Sequence, residues 1–295
     1  MNYTVYPSPE PLRDYVEHLW TLAVDREEPA DLTLQFFVTS APCIVFQHHN
    51  GRSAISRRIP GPGGGNGNHP TLFIRGAITQ PFQCVTEDTP SAIGVELRPQ
   101  ALNTLLKIDA AELTDGMVEL DVFSTSNLNE QLLNANTERE QIAILTQFLR
   151  TMAHASPRAD PLVAQSLRLI HENIGFTHVR DLVGHLNVSE RQFERRFRRT
   201  VGIPASLYLR IVRFQAAVGL MKSGGIDRLS DMAHGLGYAD QSHFIKDVRD
   251  FTGCTPKSLS HAVQECVTMT RHRSLIRQRI LVRQNRCKAR LRGAA

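Results

Sequence analysis

Arg191, Arg195 and Arg198 recur every three or four residues in SERQFERRFRRT (189–200). Ser242, Lys246 and Arg249 keep the same spacing 51 residues later, in DQSHFIKDVRDF (240–251). A helix turns once every ~3.6 residues, so each trio lines one face, with Phe193 and Phe197, or Phe244, Val248 and Phe251, on the other. Guanidinium and ammonium groups in that arrangement suit a polyanion. Arg can donate two hydrogen bonds to guanine, Gln can pair with adenine, and Lys or Arg neutralises phosphates. A solvated helix would look much the same, so one trio alone decides little.

The elements that carry the two trios repeat as well. Asp181-Leu182-Val183-Gly184-His185-Leu186-Asn187-Val188 matches Asp231-Met232-Ala233-His234-Gly235-Leu236-Gly237-Tyr238 at an offset of 50 residues. After one inserted residue, Ser189, Phe193, Phe197 and Gly202 answer Asp240, Phe244, Val248 and Gly253, and Pro204 answers Pro256 after a further shift. Asn187 and Gly237 fall where the chain must turn sharply, and both types tolerate a left-handed backbone. Ser189 and Asp240 follow as N-caps. Each unit is therefore helix, tight turn, helix, a helix-turn-helix whose second helix enters a DNA major groove in proteins that use it. Between the units, PASLYLRIVRFQAAVGLMKSG (204–224) forms one helical pattern with Leu209, Val212, Ala216 and Leu220 near one face. Such a helix spans roughly 30 Å, against about 34 Å between successive major-groove faces.

These residues resemble a known family. DMAHGLGYADQSHFIKDVRDFTGCTP closely resembles the signature of the AraC/XylS transcriptional regulators, and DLVGHLNVSERQFERRFRRTVGIP resembles their first helix-turn-helix. The resemblance spans about residues 160–262. It implies that Arg191, Glu194 and Arg195 are base-reading on the first helix, and Gln241, Ser242, His243 and Lys246 on the second, with Arg198 and Arg249 on the same outward faces. Ile245, Val248 and Lys246 depart from the types usual there, so the three arginines of the first helix carry the stronger expectation. The front half more loosely resembles the uncharacterised N-terminal domain of some members, through YVEHLW and GVELRPQALNTLL. That resemblance implies ligand sensing, subunit pairing or both.

The whole chain supports this organisation. Its 295 residues suffice for two domains. Residues 1–156 hold 10 Lys/Arg against 18 Asp/Glu, 157–265 hold 15 against 11, and 266–295 hold 9 against none. An acidic front joined to a basic rear places the polyanion partner at the rear. VTSAPCIVFQHH, TLFIRGAITQPFQCVT and SAIGVELRP predict strands, PQALNTLLKI a short helix, and GPGGGNGNHP a surface loop. A helical pattern runs from Leu128 to Met152, with Ile142, Leu145, Phe148, Leu149 and Met152 inward. HASPRADP reads as a linker, with Asp160 the N-cap of the next helix and Pro161 its first residue. The expected fold is a mixed α/β (α+β) front domain over 1–155, a strand-rich barrel or sandwich with helices. An all-α double helix-turn-helix domain follows over 160–265, then a disordered basic tail over 266–295. No secretory pattern or ~20-residue apolar run is visible, so the expectation is a cytoplasmic protein. Its expected partners are double-stranded DNA and RNA polymerase, with a small-molecule effector and a second copy of the chain as further candidates.

No catalysis or cofactor is implied. Cys43, His48, His49 and His69 lack His-x-His spacing, and adjacent His48 and His49 on a strand would point to opposite faces, so the histidines read as surface or loop residues. GPGGGNG lacks the Gly-Lys-Ser/Thr ending of a phosphate loop, Trp20 reads as packing, and the five cysteines read as reduced thiols. The rival reading is a metal-binding or ligand-reactive enzymatic front domain with the rear as a targeting module. It requires a thiol beside basic or histidine partners, and Cys84 has none adjacent in sequence.

Overall fold

The computed structural model describes residues 2–23, 31–49, 52–54, 56–59, 68–87, 91–123, 127–156, 159–173, 178–223, 229–261 and 280–282. The front half contains strands β1 (Asn2–Pro7), β2 (Val16–Ala23), β3 (Asp31–Phe36), β4 (Cys43–His49), β5 (Arg52–Ser53) and β6 (Ser56–Ile59). It continues with β7 (Asn68–His69), β8 (Leu72–Arg75), β9 (Phe82–Glu87), β10 (Ser91–Leu97) and β11 (Met117–Glu119). A 7-stranded antiparallel sheet follows the order β1-β2-β10-β4-β8-β11, with β5 beside β4. A 5-stranded sheet runs β12-β3-β9-β6-β7, where β12 is Ile280–Val282. Among the described residues both sheets keep open edges, so the barrel alternative is not realised.

Side chains alternate across a strand, and this divides the larger sheet into two faces. Leu19, Ile44, Phe46, Leu72, Ile74, Ile93 and Val95 pack beneath helices α1 (Ala101–Leu106), α2 (Leu128–Asn134) and α3 (Glu138–His154), burying Leu102, Leu132, Leu145 and Leu149. Trp20, Leu22, Cys43 and Ala92 cluster on the opposite face. Trp20 is a packing residue: it stacks on Tyr3 at 5.8 Å, and a Cβ on Gly94 would lie 1.9 Å from its ring. A 3-10 turn, Ala110–Leu113, precedes β11.

The rear half is helical. Helices α4 (Pro161–Glu172), α5 (Val179–Leu186) and α6 (Glu190–Val201) precede the long α7 (Ala205–Ser223), followed by α8 (Leu229–Gly235) and α9 (Gln241–Thr252). Asp160 caps α4 through the N–H groups of Leu162 and Val163, with Pro161 in the first turn. α7 departs from the one-faced expectation. Tyr208, Leu209, Ile211, Val212, Phe214, Ala217, Val218 and Met221 are all buried, whereas Ala216 and Leu220 are only partly so. A helix apolar around most of its circumference belongs inside a core, and both helix-turn-helix units pack on this one. The same core takes in Phe37, Val38 and Ala77 from the front half.

Much of GPGGGNGNHP lies outside the described residues, and its Asn68–His69 end forms β7. The expectation for the tail lies mostly outside the described residues; of it only Ile280–Val282 is described, paired with Leu34–Phe36 of β3. Among the described residues, no helix is long and apolar enough to cross a membrane.

Candidate nucleic-acid interface

The first unit is built from its turn outward. Asn187 ends α5 in the left-handed region, at φ 51°, which swings the chain into α6. Ser189 then caps α6 by accepting from the Gln192 N–H. Phe193 and Phe197 are fully buried with ring centroids 5.3 Å apart, and Phe197 meets the edge of Tyr208 from α7. Burying each ring contributes roughly 1.5–3 kcal/mol and fixes which face of α6 remains outside. Arg191, Arg195 and Arg198 are exposed there.

Two other charged residues of α6 look elsewhere. Arg196 donates through Nε and Nη2 to both carboxylate oxygens of Asp160, at 2.8 and 2.5 Å, tying α6 to the start of α4. Burial alone would raise the Asp160 carboxyl, but Arg196 and the Val163 and Leu162 N–H groups outweigh it and hold the carboxyl below its ordinary value. Glu194 is only partly exposed and accepts from the Ala205 N–H at 3.4 Å, capping α7 from α6, while burial raises its carboxyl. Its carboxylate therefore reaches the start of α7 from the edge of the arginine face.

The second unit repeats the construction. Gly237 turns the chain at φ 73°, Asp240 caps α9 by accepting from the His243 N–H at 2.8 Å, and Phe244 and Val248 are fully buried. Gln241, Ser242, Lys246 and Arg249 are exposed, and His243 is half-buried with its ring against the edge of Tyr238 at 5.5 Å. Both recognition-type helices end alike, on Gly202 at φ 95° and Gly253 at φ 70°, whose N–H groups return to the carbonyls of Arg198 and Arg249. The nine candidate residues thus form two outward clusters, Arg191, Arg195 and Arg198 on α6 and Gln241, Ser242, Lys246 and Arg249 on α9, with Glu194 and His243 at their margins.

Two family models match this architecture. A helix-turn-helix domain model covers residues 182–262, and a domain of unknown function, DUF6597, covers 4–119. The first is of the AraC type. The rear half of this chain is an AraC-type helix-turn-helix domain. With that domain it is a DNA-binding transcriptional regulator. Looser likenesses exist among solved structures. ToxT from Vibrio cholerae is 10% identical with a TM-score of 0.46, covering 88% of this chain and 97% of that one. ToxT bound to (E)-4-(8-methylnaphthalen-1-yl)but-3-enoic acid is 10% identical at 0.46, covering 89% and 100%. The AraC-like transcriptional activator CuxR is 16% identical at 0.20, covering 69% and 74%. No curated protein matches the chain in sequence.

The charged contacts that hold the second helix escaped the sequence pattern. Asp247 of α9 is 0% exposed and accepts from Arg210 Nε and Nη2 of α7 at 3.1 and 2.6 Å. Arg210 also reaches Asp250 and lies 5.0 Å over the Phe251 ring. Arg213 lies 5.0 Å over Tyr238 and donates to the Gly237 carbonyl at 3.3 Å, bracing the turn. Asp247 interrupts the polar face only as one more polar residue; nothing in its spacing announces that it points inward.

The front half corrects two expectations. His69 is buried rather than superficial, and it stands beside Cys84, with Sγ 3.6 Å from Nδ1 and the Ser56 hydroxyl 3.2 Å from the same nitrogen. Cys84 thus has the histidine neighbour that its sequence context lacks. His48 and His49 are half-buried at the end of β4. Among the described residues no three His, Cys, Asp or Glu side chains cluster as a metal site.

Proposed function

We propose that this regulator reads two successive major-groove segments, one with α6 and one with α9. The observation that carries the proposal is that Arg191, Arg195 and Arg198, and their counterparts Ser242, Lys246 and Arg249, are all exposed opposite buried faces. The 19-residue α7 between the two units is about 28 Å long at ~1.5 Å per residue. That length suits two readers on one side of a duplex whose groove faces recur every ~34 Å. Arg191 and Arg195 read base edges, Arg198 and Arg249 meet phosphates, and Gln241, Ser242, His243 and Lys246 make the second, weaker set of base contacts. Glu194 positions α7 and borders the base-reading surface. Residues 1–155 serve as the effector-binding or dimerising domain, 160–265 bind DNA, and 266–295 form a basic tail. The bound chain recruits or blocks RNA polymerase, without catalysis.

Selection of bound sites from random duplexes by the full chain tests this. The expected product is a two-part site whose first part disappears when Arg191, Arg195 and Arg198 become Ala. The second part should weaken when Ser242, Lys246 and Arg249 do. Selection of a single short site, unaffected by the α9 substitutions, would remove the second reader.

The Cys84–His69 pair favours a second reading, a ligand-reactive front domain. Cys84 is 1% exposed and Cys254 is half-buried, so in the regulator reading iodoacetamide labels Cys254 first. Labelling of Cys84 ahead of Cys254, slowed by His69→Phe, would favour the reactive front domain instead.

A further inference from the structure

The front half touches the far ends of both candidate reading helices, and it does so from one cross-linked ledge. At the end of α6, the Thr114 hydroxyl donates to the Gly202 carbonyl at 2.7 Å. The approach is so close that a Cβ on Gly202 would lie 2.8 Å from the Ala110 carbonyl oxygen. At the end of α9, the Val38 N–H donates to the Phe251 carbonyl at 3.2 Å, and Phe37, Val38 and Ala77 join the core shared by both units.

The two anchor points are tied to each other. Asp115, next to Thr114, donates its N–H to the Ala77 carbonyl at 2.8 Å. Ile78, next to Ala77, exchanges two backbone hydrogen bonds with Thr39 at 2.8 and 2.9 Å, and Thr39 adjoins Val38. Asp115, held left-handed at φ 57°, also accepts from the Thr79 N–H at 2.7 Å and from the Thr79 hydroxyl. A short chain of hydrogen bonds, all backbone to backbone except the one from the Thr114 hydroxyl, therefore runs from the end of one reader to the end of the other without passing through α7.

We infer that this ledge, residues 37–39, 76–79 and 110–116, is a spacer clamp that fixes the separation of the two readers, and that Thr114 is a positioning residue for site choice. The inference rests on the two-reader function proposed above. A single helix joined to two units still lets each unit rock about its own contact with that helix. A second rigid connection at the opposite ends removes that freedom, much as a second strut squares a frame. The clamp thus restricts which half-site separations are accepted, while each helix keeps its own base preference.

The test uses the full-length chain and duplexes in which the two selected half-sites are separated by stepwise varied numbers of base pairs. The unaltered chain is expected to enrich one separation. Thr114→Val keeps the shape but removes the donor, and should raise recovery of neighbouring separations by about fivefold relative to the preferred one, the factor set by one lost hydrogen bond. Base preference within each half-site should stay as it was. Asp115→Ala, which removes both Thr79 bonds and so loosens the middle of the ledge without touching either helix, should shift the profile the same way, and Thr114→Ser should restore it. An unchanged separation profile in Thr114→Val and Asp115→Ala, or an equal loss at every separation, would overturn the clamp and leave α7 as the spacer. If the unaltered chain selects no two-part site, the two-reader function fails and the clamp with it.

Discussion

Arginine serves two purposes on α6, and neighbours in sequence divide them. Arg195 is exposed on the outward face, while Arg196 is spent on Asp160. Arg195→Ala should therefore weaken binding to the selected site by about 1–3 kcal/mol and relax preference at one base position, measured by titration against a panel of single-base variants. An equal loss on every sequence would recast Arg195 as a phosphate contact. The Arg196–Asp160 link predicts a pH dependence. Asp160 is held below its ordinary value in the folded chain, so on acidification the unfolded chain takes up the proton first. Its contribution to stability is then complete above the ordinary value of 3.8 and is lost as pH falls through the folded one. Denaturant unfolding between pH 6 and 2 should show Asp160→Asn less stable at the upper end and the difference closing toward the lower end; parallel curves would mean that the link contributes nothing. The Cys43 thiol is 0% exposed, and burial and then Glu96 push it up to about 12, which disfavours its thiolate.

At the scale of elements, the two turns and caps predict matched responses. Ser189→Ala and Asp240→Ala each remove a side-chain acceptor from a helix start, at a cost of about 1 kcal/mol apiece. Hydrogen exchange should show the loss in the first turns of α6 and α9, and protection unchanged at those amides would refute the capping role. These elements were legible in the sequence because a left-handed turn, a cap and an inward aromatic pair demand particular residue types at short range. Asn187, Gly237, Ser189 and Asp240 announced them. The long-range partners were not legible. Arg210 meets Asp247 across 37 positions and His69 meets Cys84 across 15, so only the folded chain brings them together. The α7 pattern reads as one-faced because a sequence shows periodicity; that the second unit packs over its other side follows only from the folded chain. Likewise, strand patterns over 38–49, 71–86 and 91–99 located β4, β8, β9 and β10, but the pairing order that leaves both sheets open depends on contacts between distant strands.

For the whole molecule, charge and packing point the same way: an acidic strand-rich half braces a basic helical half whose exposed arginines face outward. The basic tail enters this account through Ile280–Val282, which adds to the edge of β3 and so lies with the front half. Deleting residues 271–295 should leave the selected sequence unchanged, checked by repeating the random-duplex selection; an altered base preference would place the tail in the groove. The central claim, two readers on one side of the duplex, is tested most directly by footprinting the full chain on its selected site with a major-groove methylation probe. Two protected patches should appear on the same side, with centres about 10–10.5 base pairs apart. The patch under α9 should vanish with Ser242, Lys246 and Arg249 replaced by Ala. A single patch, or two on opposite sides of the duplex, would contradict the claim.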